Sequence, residues 1–452
     1  MSFSAERKSL PLRLSTTDKS PTAKSLVPRR RWRIAWLLGL GVLVNFFDRV
    51  NLSVSQASIE SGFHISVVAF GYLASAYALT YALLQLPIGV ILDRLGIRLV
   101  GWVSILLWSV ASFASALSMG YGSLFAARLL LGVGEAPTFP ANAKAIGLWF
   151  PQEERSLATA LNDAAAKFAS ALGVPVLGAL LLEVGWRWSF AATGFASLVY
   201  LAVFLTVYRN PDQDGGLSEV ERSYLSCGAL EKQEPEHLKL GFSRLLRERK
   251  VLGLALGFGA YNYTFYLLLW WLPGYFARAL GVDALHSFLF TGVPWLVATA
   301  TDLAVGGWLV DALIARGLDA SRVRLTVLVV GTGCGLGLLG AAGAHTAVAA
   351  VAWVSLAIGG LSAAAPVGWS VPSLIAPRAN VGAVGGIANF ASQVSAIAAP
   401  IVTGYVVDAT HSFAWAFVVA SVYLAAGIAG YALLLGRIEP FAEVGELEGI
   451  SH

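Results

Sequence analysis

Two adjacent charges, Asp48 and Arg49, lie in the apolar stretch Trp36–Val54, and two more, Arg128 and Glu135, lie in a second, Ser123–Phe139. An ionised side chain at the centre of a bilayer costs about 2.5–3.5 kcal/mol on insertion scales, so such groups must be paired, hydrated or used. Burial makes a carboxyl hard to ionise and a nearby arginine makes it easier. A carboxylate whose partner moves can therefore take a proton on one side of a membrane and release it on the other. Asp48 and Glu135 are the candidate proton carriers, with Arg128 as the expected partner of Asp48. Guanidinium binds carboxylate through two parallel hydrogen bonds and stays charged when buried. Arg49 is thus the candidate ligand for the carboxylate of an organic anion, the alternative being a partner for its neighbour Asp48; structural salt bridges are the alternative for the other three.

These residues need elements that hold them at membrane depth, and the composition supplies them. Of 452 residues 57% are hydrophobic and only 13% charged, with mean hydropathy +0.69; a soluble chain carries about 25% charged residues. Apolar runs long enough to span recur at 34–55, 68–92, 98–118, 122–149, 155–182, 188–208, 251–279, 286–313, 324–343, 346–375, 381–408 and 412–436. A span needs about 20 residues, lipid cannot satisfy an open sheet edge, and the alternation of barrel strands is absent. The expected fold class is an all-α membrane protein of twelve transmembrane helices.

The expected organisation is a cytoplasmic N-terminal tail (1–33), a six-helix bundle (34–208), a polar central loop (209–250), a second six-helix bundle (251–436) and a cytoplasmic C-terminal tail (437–452). Net charge is +4. Arginines crowd one set of connections (Arg29–Arg31, Arg94, Arg98, Arg244, Arg247, Arg316, Arg322, Arg378, Arg437), whereas Arg187 and Arg278 stand alone on the other. This is the positive-inside pattern, which places both termini in the cytoplasm and gives no reason to expect nucleic-acid binding. Cys227 and Cys334 sit in different environments, so no disulfide framework is expected. The halves look like a repeat. Gly89-Val-Ile-Leu-Asp93-Arg94-Leu-Gly96-Ile-Arg98 follows the second segment, and Gly306-Gly307-Trp308-Leu309-Val310-Asp311, with Arg316 and Gly317 after it, follows the eighth. Duplicated halves around a polar loop suggest a transporter with its site between them near mid-depth.

Helical rise tests the convergence of the charges. Asp48 lies about 21 Å from the start of the first span and Arg128 about 9 Å from the opposite end of the fourth, depths that coincide in a core of about 30 Å. Glu135 is two turns deeper on nearly the same face as Arg128. Lys167, about 18 Å into the fifth span, has two open readings: a ligand for a second substrate carboxylate, or an i, i+4 partner of Asp163. Asp302 in the eighth span has no evident role. Lys144, near the end of the fourth, is expected to snorkel. No histidine falls in the middle of a span. Gly335-Leu-Gly337-Leu-Leu-Gly340 has the letters of a dinucleotide fingerprint but no preceding strand, so close helix packing is the reading. No metal cluster, phosphate loop or nucleophile triad is present, and no enzyme is expected.

Gly89–Arg98 resembles the loop signature of the major facilitator superfamily. Arg128-Leu-Leu-Leu-Gly132-Val-Gly134-Glu135-Ala-Pro137-Thr-Phe139-Pro140-Ala-Asn142, with Asn45-Phe-Phe-Asp48-Arg49-Val-Asn51, Asn262, Tyr266, Trp271-Leu272-Pro273-Gly-Tyr275, Asn389 and Pro400-Ile-Val-Thr-Gly404, resembles its anion:cation symporter family. The resemblance implies two pseudo-symmetric halves and import of a sugar acid such as a hexonate, hexuronate or aldarate, with the proton as coupling ion and no other cofactor. It implies substrate contacts from Tyr81, Trp369 and Asn389; Gln393, one turn on, is a further polyol ligand. Asp93, Arg94, Arg98 and Asp311 are expected to form gating contacts between the halves on the cytoplasmic side. Phe46 departs from the galactonate transporters, which place a substrate-facing tyrosine there. The expected setting is the plasma membrane, a bacterial inner membrane, with the chain working as a monomer. The alternatives are the same fold carrying a dicarboxylic or aromatic anion, and an anion sensor that does not transport.

Overall fold

The computed structural model describes residues 29–227, 241–377 and 380–440. The tail before Arg29, Arg378 and the acidic residues after Pro440 lie outside them. The described chain is helical throughout. The first half holds α1 (Arg30–Val54), α2 and α3 (67–95 and 97–116), α4 (Tyr121–Glu135 and Thr138–Trp149), α5 (Gln152–Val184) and α6 (Trp186–Val207). The second holds α7 (Arg249–Ala279), α8 (Ala284–Ala315), α9 (Ala320–Ala342), α10 (Ala347–Ile375), α11 (Val381–Thr410) and α12 (Phe413–Leu435). Eleven of these are single helices long and apolar enough to cross a membrane. The twelfth, α4, was expected to run unbroken over 122–149. It is instead interrupted at Ala136–Pro137, immediately after Glu135, where Pro137 and Pro140 remove two main-chain donors.

Local chemistry sets the helix ends. Ser66, Asp283, Asp319, Thr346 and Ser412 each accept a main-chain N–H in the first turn of α2, α8, α9, α10 and α12, which satisfies donors that the helix itself leaves orphaned. Gly96 (φ 77°) separates α2 from α3 in a conformation that disfavours any side chain. The helices pack closely through glycine. A Cβ at Gly132 of α4 would lie 2.3 Å from the Tyr77 carbonyl oxygen on α2, and one at Gly134 would lie 2.7 Å from the Trp108 nitrogen on α3. The glycines of 335–340 lie within α9; Gly340 seats the Trp353 ring of α10, so they serve packing.

The tail side is the face where α1 begins and α12 ends; the other is the far side. The halves meet on the far side. Ser53 Oγ of α1 donates to the Trp270 carbonyl of α7 at 3.0 Å, and Ser75 Oγ of α2 donates to the Ile397 carbonyl of α11 at 2.8 Å. The hydroxyls of Tyr72 and Tyr405 are 3.2 Å apart, and Arg278 pairs with Glu60. Gly71 faces the Pro400 carbonyl, and on the neighbouring seam Gly292 and Phe288 of α8 pack on Ala171, Pro175 and Gly178 of α5. The tail side carries contacts within the first half instead. Arg30 binds Asp214 at 2.8 Å, and Arg31 binds Glu154 at 2.7 Å and Glu221 at 3.2 Å. The described stretch that follows α6, including a short helix at Glu219–Cys227, is thereby fastened to α1 and α5.

Candidate functional site

Asp48, Arg49, Arg128 and Glu135 are all buried, none more than 2% exposed. α1 and the first piece of α4 bring them together at mid-depth, tailward of the far-side contacts. Arg49 Nε donates to Glu135 Oε2 at 2.9 Å, and its terminal nitrogen donates to Asn45 Oδ1 at 2.9 Å. The guanidinium is stacked as well as bonded, with Cζ 4.3 Å from the Phe46 ring centre, 4.7 Å from Tyr77 and 5.6 Å from Tyr81. Such contacts hold a desolvated cation where water cannot. Phe46 therefore has a direct part in the site: its face carries the arginine.

The partners differ from those expected. Arg49 pairs with Glu135, not with Asp48. Arg128 does not bind the Asp48 carboxylate; its NH1 donates to the Asp48 main-chain oxygen at 3.3 Å. The depths agree with the helical rise, but the Asp48 side chain turns away toward α3 and α6, where Ser112 Oγ donates to Oδ1 at 2.6 Å and Ser197 Oγ lies 3.5 Å from Oδ2. This leaves Arg128 Nε and one terminal nitrogen, and Glu135 Oε1, buried without a hydrogen-bond partner. Unsatisfied charged atoms this deep are costly. Arg128 and Glu135 interact electrostatically, and Asn45 Nδ2 and the Tyr77 hydroxyl are likewise buried without a partner among the described residues. The arrangement can bind an anion, exchange partners among two arginines and two carboxylates, and hold protons. From the second half, Tyr266 of α7 faces Arg49 and Glu135 electrostatically, and the Trp270 ring lies 5.9 Å from Arg128 Cζ.

The other expected ligands are more dispersed. Tyr81 is buried beside Tyr77 with ring centres 5.5 Å apart. Trp369 is half exposed on the tail-side third of α10, edge-on to Phe258 at 4.7 Å. Asn389 and Gln393 follow one another on α11; Gln393 Oε1 is buried and unpartnered. No hydrogen bond among the described residues joins these three to Arg49. Lys167 is engaged twice, by Asp163 at 2.6 Å and by Asp302 at 2.9 Å, so the i, i+4 pair exists and Asp302 acquires a partner. Lys144 reaches the exposed Asp93 carboxylate at 2.7 Å and the Leu92 carbonyl at 2.9 Å. Asp93 thus pairs within the first half, not across the halves. Arg98 reaches the Leu205 carbonyl at 3.2 Å, and Arg94 and Asp311 are exposed with no ion pair among the described residues. The expected contact between halves at these four residues is absent here, because the halves meet on the other side.

Sequence reasoning did not single out Ser112, Ser197 or Tyr77. Serines and tyrosines in apolar helices carry no mark that separates a carboxylate ligand from ordinary packing.

Two six-helix halves closed on one side around buried ion pairs define a helical membrane transporter. The Major Facilitator Superfamily model matches residues 38–400, and the chain belongs to that family. The "Uncharacterized transporter YybO" of Bacillus subtilis (strain 168) is 38% identical over 412 residues, covering 90% of this chain and 95% of the relative. The "D-galactonate transporter" of Escherichia coli O6:H1 is 31% identical over 419 residues, covering 91% and 97%. Among solved structures, a bacterial homologue of the human lysosomal transporter Spinster, in its inward-facing and unoccupied conformation, superposes with TM-score 0.70 at 17% identity, covering 90% of this chain and 97% of the other.

Proposed function

We propose that this transporter imports a small organic anion of the sugar-acid class, driven by protons, with both termini in the cytoplasm of a bacterium. The observation that carries the reading is the Arg49–Glu135 pair: a buried guanidinium with one carboxylate, next to a second arginine whose donors are only partly used. A substrate carboxylate competes with Glu135 for Arg49. Once displaced, Glu135 stands in a dry site without its cation and takes a proton, so anion and proton load together. Asp48, on its two serines, is the second carrier. Neutralising the buried charge lets the halves rock around the site. Tyr81, Trp369, Asn389 and Gln393 then supply the polyol contacts. If the tail side is cytoplasmic, the conformation described is the one that delivers cargo inward. One chain contains both halves, so a monomer suffices.

The relatives named for galactonate, and others named for galactarate, glucarate and hexuronate, support the substrate class. A dianion bound through Lys167 is less well supported, because two carboxylates already surround that ammonium. The test is uptake into proteoliposomes with an imposed pH gradient, after a thermal-shift screen of sugar acids; a ligand at one hundred times Kd stabilises by about 2.7 kcal/mol. Glu135→Gln is expected to lose uphill accumulation and keep counterflow exchange. Full uphill transport by that variant rejects the role.

A further inference from the structure

The Asp163–Lys167–Asp302 cluster is unused by the mechanism above, and it lies across the seam between the halves. Lys167 and Asp163 are on α5 of the first half; Asp302 is on α8 of the second. Lys167 is 1% exposed and Asp302 2%, whereas Asp163 keeps partial access to solvent. The Lys167–Asp302 bond is the tailward end of the α5–α8 seam, whose other contacts run through Ala171, Pro175 and Gly178 toward the far side. Asp302 Oδ2 is buried and has no hydrogen-bond partner. Asp302 also begins a π-helical stretch, Asp302–Leu309, packed through Gly306 against Ala363 and Pro366 of α10; interruptions of this kind concentrate at functional sites.

The charges divide unevenly when this seam opens. Lys167 stays with Asp163, one turn away on the same helix, as a neutral pair. Asp302 departs with α8 and keeps no cation. The ionisable groups facing it are Lys167 and Asp163 from α5 and Tyr261 from α7. α10 has no ionisable side chain, and Asp311 further along α8 is exposed. A carboxylate left alone in such surroundings is more stable protonated than charged.

We infer that Asp302 is an additional proton-binding site of the transport cycle, loaded when the far side opens and emptied when Lys167 returns on closure. The inference rests on the proton-coupled reading above and adds a proton to it. In each turn the carboxylate gains H⁺ from the far-side solution as the Lys167–Asp302 contact breaks, and releases it as the contact reforms.

The experiment needs no substrate, since an empty carrier must also reopen. The two cysteines, Cys227 and Cys334, are replaced by serine, and Ser75→Cys is added as a reporter on the far seam. Its labelling by a membrane-impermeant maleimide applied from the far side is followed against pH, each rate divided by that of the same cysteine in unfolded protein at that pH, so that the change in thiolate fraction cancels. One proton taken up per opening gives up to about tenfold faster labelling per pH unit of acidification. Asp302→Asn is expected to remove one such factor and to label faster than the parent at alkaline pH; Asp302→Glu restores the slope. Lys167→Met, which leaves Asp302 alone in both states, removes the same factor and serves should Asp302→Asn fail to fold. An undiminished slope in Asp302→Asn or Lys167→Met overturns the inference. If Glu135→Gln then flattens the slope, proton symport survives without Asp302; labelling independent of pH in the parent overturns both.

Discussion

Closure of the far side depends on a contact that one methyl group would break. A Cβ on Gly71 of α2 would stand 2.5 Å from the Pro400 carbonyl oxygen, 3.2 Å from its carbonyl carbon and 3.3 Å from Ile401 Cα on α11. Carbon contacts are comfortable at about 3.5 Å or more, so the helices must part by about 1 Å. All three atoms are main chain, and no flexible side-chain end can give way. Overpacking of this kind costs about 1–3 kcal/mol. The cost falls on the conformation in which α2 and α11 touch, because all three atoms belong to α11. Gly71→Ala should therefore shift the balance between conformations rather than unfold the protein, by about 5- to 150-fold toward the far-open state. Gly404 on the same seam offers a control. Its Cβ would lie 3.1 Å from the Val67 carbonyl oxygen, a shortfall of a few tenths of an ångström, and Gly404→Ala should shift the balance by only a few-fold. Maleimide labelling of Ser75→Cys from the far side reads the open fraction directly. Labelling of folded Gly71→Ala at the parental rate would show that this contact does not set the closed state, and would refute the reasoning.

Other expected outcomes follow from the same geometry. Arg49→Lys keeps the charge but loses the planar fork that reaches both Glu135 and Asn45; binding of D-galactonate or a related sugar acid should weaken at least about tenfold, about 1.4 kcal/mol, in a calorimetric titration. Asp93→Asn breaks a pair whose carboxylate is largely in solvent, and should move the melting temperature of the purified protein by the equivalent of about 1 kcal/mol or less.

Much of this site could be read from the chain because charge in an apolar helix is conspicuous. Asp48, Arg49, Arg128 and Glu135 stand out by type, and a rise of about 1.5 Å per residue brings them to one level. Rise fixes depth but not direction. It therefore could not tell that Asp48 turns toward Ser112 and Ser197, or that Arg49 rather than Arg128 takes the carboxylate on α4. The break after Glu135 was visible only as two prolines, residues that membrane helices often tolerate without interruption. Pro273, Pro294 and Pro400 sit inside helices that continue past them. Lys167 and Asp302 were each noticed separately. Their contact depends on how the halves are docked, and nothing in either segment encodes that.

The fastening of Arg30 and Arg31 bears on how the chain is made. Their carboxylate partners Asp214 and Glu221 follow α6 in the chain. The clasp thus ties the first residues of α1 to the stretch that leaves the sixth span, and none of its partners comes from α7 or later. The leading bundle can therefore be finished and locked as a separate assembly unit while the ribosome is still translating the trailing one.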